Sequence, residues 1–115
     1  MNKIYISAGG TYGFLAIGQS LRKVTLATGA STSLSNDREY TALVYGGNSV
    51  LYGVYNGAIG IINQTTGAFT EITKVHDQVD NLVYKDVDEV WFTTQNSLGV
   101  INTGTGVITW LTHSL

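Results

Sequence analysis

The chain has 115 residues, a formal net charge of −2 and a charged fraction of 12%, about half the ~25% usual in globular proteins. Its six Lys and Arg are scattered, so it lacks the basic stripe that neutralises phosphates, and nucleic-acid binding is disfavoured. The absence of cysteine excludes disulfides and thiolate metal sites, and no stretch approaches the ~18 consecutive apolar residues of a membrane-spanning helix.

The N-terminal run MNKIYISAGGTYGFLAIG is interrupted by glycine and tyrosine, so it does not read as a signal peptide. The expectation is a soluble chain that begins near Met1, in a virion or the cytoplasm. Three segments of 27 residues then follow one another, 3–29, 41–67 and 80–106, with starts 38 and 39 residues apart. Self-similarity at this period is the signature of a solenoid, a propeller or an array.

Four strands fit each unit. The first unit predicts strands at 4–7, 12–17, 21–26 and 30–34. The second predicts 42–45, 50–55, 59–63 and 68–73, and the third predicts 81–84, 89–94, 98–102 and 107–112. Valine, isoleucine, tyrosine and threonine dominate these segments, as strands require. The third and fourth strands of the units meet at LATG, QTTG and TGTG. The closing glycines, Gly29, Gly67 and Gly106, fit the one left-handed position of a short hairpin, and Thr28, Thr66 and Thr105 precede them.

Several apolar columns recur from unit to unit: Tyr5, Leu43 and Leu82; Phe14, Tyr52 and Trp91; Leu21, Ile59 and Leu98; Val24, Ile62 and Ile101; Leu34, Ile72 and Leu111. The Phe14–Tyr52–Trp91 column reads as core. Adjacent positions such as Ile61 and Ile62 are both apolar, so the sheets are covered on both faces. Lys23 falls in the column of Ile61 and Val100, and should reach a rim or find an acidic or carbonyl partner.

The run EVWFTTQNSLGVINTGTGVITWLT, and similarly VLYGVYNGAIGIINQTTGAFTEI, resembles blades of the sensor-type and lyase-type β-propellers, whose pattern is roughly vWfT…nGigrid..tGkvt. The resemblance weakens in the first unit, where Arg22 and Lys23 replace Gly60 and Ile61. The resemblance implies an all-β chain of three four-stranded antiparallel blades, about 2–35, 40–73 and 79–112, in a single domain 1–115. The pattern's residues form blades and carry no catalytic role across. Known propellers have about 4 to 8 blades, so three blades predict closure of a six-bladed ring by homodimerisation. Ile108 and Trp110 on one end, against Ser31 and Ser33 on the other, are the expected joint.

Candidate chemistry is sparse. His76 beside Asp77 invites an acid–base reading, but a solvated loop pair is the commoner meaning. His113 lies three residues from the end. Asp86, Asp88 and Glu89 lack the further ligands a calcium site needs, so neither metal nor cofactor is expected. In an up-and-down blade the loops between fourth and first strands and those between second and third strands share one end. That end gathers Asp37, Arg38, Asn56, His76, Asp77 and Asn96, and binding residues tend to sit on such loops. The expected function is a non-enzymatic module with a structural or binding role, whose partners are itself and a protein assembly or a glycan. A phage virion component is one setting that suits the composition. A lectin with repeated sites is the second reading, and a propeller-type lyase or hydrolase the third.

Overall fold

The computed structural model describes residues 4–9, 11–46, 50–75, 78–86 and 88–112, the first of these spans as backbone. It is all-β, with no helix among the described residues. The strands are β1 (Ile4–Gly9), β2 (Tyr12–Ile17), β3 (Ser20–Thr25), β4 (Ser31–Ser35), β5 (Tyr40–Tyr45), β6 (Leu51–Tyr55), β7 (Ala58–Ile62), β8 (Phe69–Lys74), β9 (Asn81–Asp86), β10 (Glu89–Thr93), β11 (Leu98–Asn102) and β12 (Ile108–Thr112). They form three sheets, β1–β4, β5–β8 and β9–β12, each four antiparallel strands in chain order. Each sheet is therefore one repeat unit. The sheets follow one another with β1 beside β5 and β5 beside β9.

The turns between third and fourth strands repeat in atomic detail. The amides of Gly29, Gly67 and Gly106 donate to the carbonyls of Thr25, Asn63 and Asn102 at 2.8, 2.8 and 2.7 Å. The glycines hold φ of +76°, +77° and +79°, a region L-residues with a branched Cβ resist. The preceding threonine has a function too. The amides of Ala30, Ala68 and Val107 donate to the Oγ1 of Thr28, Thr66 and Thr105 at 3.2, 3.2 and 3.3 Å, a local side-chain turn that pins the corner. In the later two units Asn63 Oδ1 and Asn102 Oδ1 each accept two further backbone amides.

The core is not one cluster but two, and each is a seam between sheets. Phe14, Ala16 and Leu21 of the first sheet pack with Tyr40, Leu43, Leu51 and Ile62 of the second. Ala42, Tyr52, Val54 and Ile59, on the other face of the second sheet, pack with Leu82, Val90, Phe92 and Ile101 of the third. Every sheet thus has a forward face, turned to the next unit, and a rear face, turned to the preceding one. Lys23 lies on the first forward face; its Nζ donates to the Gln64 carbonyl at 3.3 Å and stands 4.1 Å over the Tyr12 ring. The expected carbonyl partner is present, and the charge sits at the margin of the seam.

The columns sort by face. Two forward columns are covered in the first two units and less so in the third: Phe14 and Tyr52 are buried while Trp91 is only half-buried, and Leu21 and Ile59 are fully buried while Leu98 is only half-buried. In the marginal column of Lys23, Ile61 and Val100, Ile61 is itself 36% exposed. Leu111 is 49% exposed, where Leu34 and Ile72 are packed against the seams. The rear column behaves in the opposite sense, with Ile62 and Ile101 fully buried and Val24 half-buried. Trp91 is therefore not a core residue of this chain as expected, because no fourth sheet follows it among the described residues. Its Nε1 is nonetheless shielded, without a hydrogen-bond partner among those residues.

One column was misaligned. Tyr5 pairs with Ala16, whereas Leu43 pairs with Gly53 and Leu82 with Phe92. The position equivalent to Leu43 is Ile6, which pairs with Leu15. The first hairpin has one residue fewer between equivalent partners, Ile6 and Leu15, than the second between Leu43 and Gly53 or the third between Leu82 and Phe92, where a bulge adds the residue, and a one-residue slip swaps the faces of a strand.

Substituting the turn glycines gives a graded test. A Cβ at Gly67 would lie 2.8 Å from the Leu34 carbonyl carbon, one at Gly106 3.0 Å from the Ile72 oxygen, and one at Gly29 meets nothing within 4 Å among the described residues. Backbone strain on the order of 1–3 kcal/mol is common to all three. Valine substitution is expected to lower stability in the order Gly67 more than Gly106 more than Gly29, measured by urea denaturation at fixed protein concentration. Equal losses at the three positions would contradict the packing of each turn on the preceding sheet.

Candidate functional site

The loops between second and third strands and those joining consecutive units do share one end of the molecule. The Val75 amide, just after β8, donates to the carbonyl of Gly57 in the β6–β7 turn at 2.8 Å. Ser20 Oγ, at the start of β3, lies 3.4 Å from Asn36 Oδ1 in the β4–β5 connection.

The expected site residues fall into two groups at this end. Asp37 and Arg38 belong to the first seam. Their side chains are 3.6 Å apart, and the Arg38 guanidinium stands 5.7 Å from the Tyr55 ring. Beneath it Tyr40, Tyr55 and Phe69 form a three-ring cluster with centroids 5.7–6.0 Å apart. Arg38 thus caps an aromatic plug, a packing role that its charge alone does not announce.

Asn56 and Asn96 belong to the second seam. Asn56 has φ +53° and Gly57 φ +78°, the two positive values of a two-residue type I′ turn, for which Asn-Gly is the favoured pair. The residue type at 56 is therefore explained by the turn. Its side chain also borders a shallow cleft of about 390 Å³ lined by Thr41, Lys74, Gln78 and Val79. Asn96 accepts a hydrogen bond from Ser97 Oγ at 3.2 Å and borders an adjoining cleft of about 310 Å³ with Gln78, Asp80, Thr94 and Gln95. Gln78 lines both, and Thr94 Oγ1 in the second is buried without a partner among the described residues. Lys74, Asp80 and Thr94 were not singled out from sequence, because no motif marks them; the fold alone brings them to one place. His76, Asp77 and His113 lie outside the described residues.

The four residues of the expected joint, Ser31, Ser33, Ile108 and Trp110, all lie on one kind of face. Ser31 and Ser33 stand exposed on the rear face of the first sheet, where Ser31 Oγ accepts from Arg22 at 3.0 Å and Ser33 Oγ meets Asn36 Oδ1 at 3.1 Å. Ile108 and Trp110 occupy the same column in the third sheet, so they also face rearward and pack on the second seam. Trp110 meets Phe92 edge-on with centroids 5.3 Å apart. The uncovered face of the third sheet is instead the forward one. Trp91 pairs there with Val83 and Val100, and Val100 with Thr109. Val83, Val107 and Leu111 are 56%, 61% and 49% exposed.

No family model matches the sequence, and no curated protein matches it. Solved structures resemble the fold. Two structures of the extracellular domain of BT4673 from B. thetaiotaomicron superpose with a TM-score of 0.74 at 18% identity, covering 96% and 98% of this chain and 17% of theirs. Kuenenia stuttgartiensis hydrazine synthase superposes with a TM-score of 0.75 at 17% identity, over 92% of this chain and 34% of that one. The chain thus spans about a sixth to a third of the length of these neighbours, and at such identities the likeness is one of fold.

The aromatic plug makes a prediction about alkaline pH. Burial raises the Tyr40 phenol above its ordinary value of 10.0, with Arg38 opposing the shift. The folded chain therefore holds this proton more tightly than the unfolded chain, so stability is intact below about pH 10 and falls as pH rises through the range between the two values. Tyr40→Phe removes a buried hydroxyl that has no hydrogen-bond partner within 3.5 Å among the described residues, which is expected to cost little. It should also flatten the decline of melting temperature as pH rises above about 10. A decline identical to that of the unsubstituted chain would assign the alkaline loss to other groups.

Proposed function

We propose that this chain is a non-enzymatic β-propeller module that closes a six-bladed ring with a second copy of itself and serves a structural or binding role through its loop end. The observation that carries the reading is the sorting of columns by face. Side chains buried at the two internal seams lose cover at one end of the chain only: the forward columns of Phe14–Tyr52–Trp91 and Leu21–Ile59–Leu98 in the third sheet, and the rear column of Val24–Ile62–Ile101 in the first. Each open face is the counterpart of a face already covered elsewhere in the chain. Head-to-tail repetition of the same seam joins three sheets to three, and six falls within the usual range of blades where nine does not.

The binding part of the reading rests on the loop end. Asn56, Gln78, Gln95 and Asn96 supply amides around two adjoining clefts, with Lys74 and Asp80 adding one charge of each sign. Amides both donate and accept hydrogen bonds, which suits a neutral polar ligand and supports a lectin as the second reading. A glycan array separates this from a purely structural role.

If association covers the open faces, it is coupled to stability. The melting temperature is then expected to rise over a hundredfold increase in protein concentration. A melting temperature constant over that range would remove the ring from the proposal.

A further inference from the structure

We infer that the joint between copies is made by the Gly29 turn of one chain lying on strand β12 of the other at Leu111; this rests on the ring reading above. At the first seam the Gly67 turn of the second sheet sits on β4 of the first, so close that a Cβ would overlap the Leu34 carbonyl. At the second seam the Gly106 turn sits on β8, and a Cβ would lie 3.0 Å from the Ile72 carbonyl oxygen. Both internal seams therefore lock through the same contact, a turn glycine against the backbone of the preceding sheet's last strand.

Among the described residues there are three such turns and three such strands, but two locks. Gly29 has the same hydrogen bond and the same left-handed φ as its counterparts, yet among the described residues nothing lies within 4 Å of its Cβ direction. Leu111 occupies the position of Leu34 and Ile72 in the third unit, and it is 49% exposed. One turn lacks a strand and one strand lacks a turn, at opposite ends of the chain. A second copy supplies both missing halves, each end locking on the other's. Trp91 and Val83 then lie where Tyr52 and Val44 meet the third sheet.

Asparagine is the discriminating substitution at position 29. It adopts the left-handed conformation more readily than other L-residues, so it spares the turn itself, but its Cβ fills the space the lock needs. Gly29→Asn is expected to fold, as read by far-ultraviolet circular dichroism, and to sediment as a monomer at concentrations where the unsubstituted chain is a dimer. Gly67→Asn, whose space is already occupied within the chain, is expected to lower the melting temperature of the monomer. Leu111→Asp changes an exposed residue and is expected to give the same folded monomer as Gly29→Asn. If Gly29→Asn does not fold, Leu111→Asp alone decides. Dimers unchanged in both variants would overturn this joint while leaving the ring reading in place. An unsubstituted chain that stays monomeric and folded at every concentration would overturn both, and would point to further sheets of a longer chain as what covers the faces.

Discussion

Each sheet of this protein carries apolar side chains on both of its faces, and the cost of leaving such a face in water governs the rest of the arrangement. At ~25 cal/mol per Å² of apolar surface, a bare sheet face costs several kcal/mol, comparable with the whole stability of a small domain. A single four-stranded sheet of this composition has no way to cover itself. Stacking units in one direction covers each sheet with its neighbours, and that is why the core is divided into two seams. The same logic leaves one face uncovered at each end of any finite open stack.

The turns serve this constraint. The glycine that closes each third-to-fourth-strand hairpin is needed twice, once for the left-handed backbone and once for the close approach of the preceding sheet. The first need is local and is met in all three units; the second is met only where a preceding sheet exists. Polar residues are kept to the margins of the seams. Lys23 reaches past the apolar column to a carbonyl at the edge, and Arg38 closes the loop end of the first seam over a ring cluster.

Much of this was legible in the sequence. The period, the four strands per unit and the turn glycines all follow from local chemistry, which repeats faithfully. Alternation within strands revealed two apolar faces but not which neighbour each face meets. That is why Ile108 and Trp110 were read as outward-facing when they pack inward, and why Trp91 was read as core from a column whose other members are buried by a sheet that the third unit lacks. Tyr5 was misaligned because a gapless match of the units hid a shorter first hairpin. At the loop end, Asn56 stood out as a polar loop residue, although its amide side chain suits the positive φ of the turn it occupies. Lys74, Asp80 and Thr94 converge there only through the packing of two units, and no spacing in the chain announces that meeting.

The claim on which the account depends is that the two open faces are covered by a second copy, and small-angle X-ray scattering tests it in one measurement, because it reads mass and size together. The single chain has a Cα radius of gyration of 13.7 Å and extents of 42 × 32 × 22 Å. A compact ring of two chains is expected at twice the 12.3 kDa chain mass with a radius of gyration of about 17 Å. A mass of 12.3 kDa with a radius near 13.7 Å, at a concentration where the chain is folded, would contradict it.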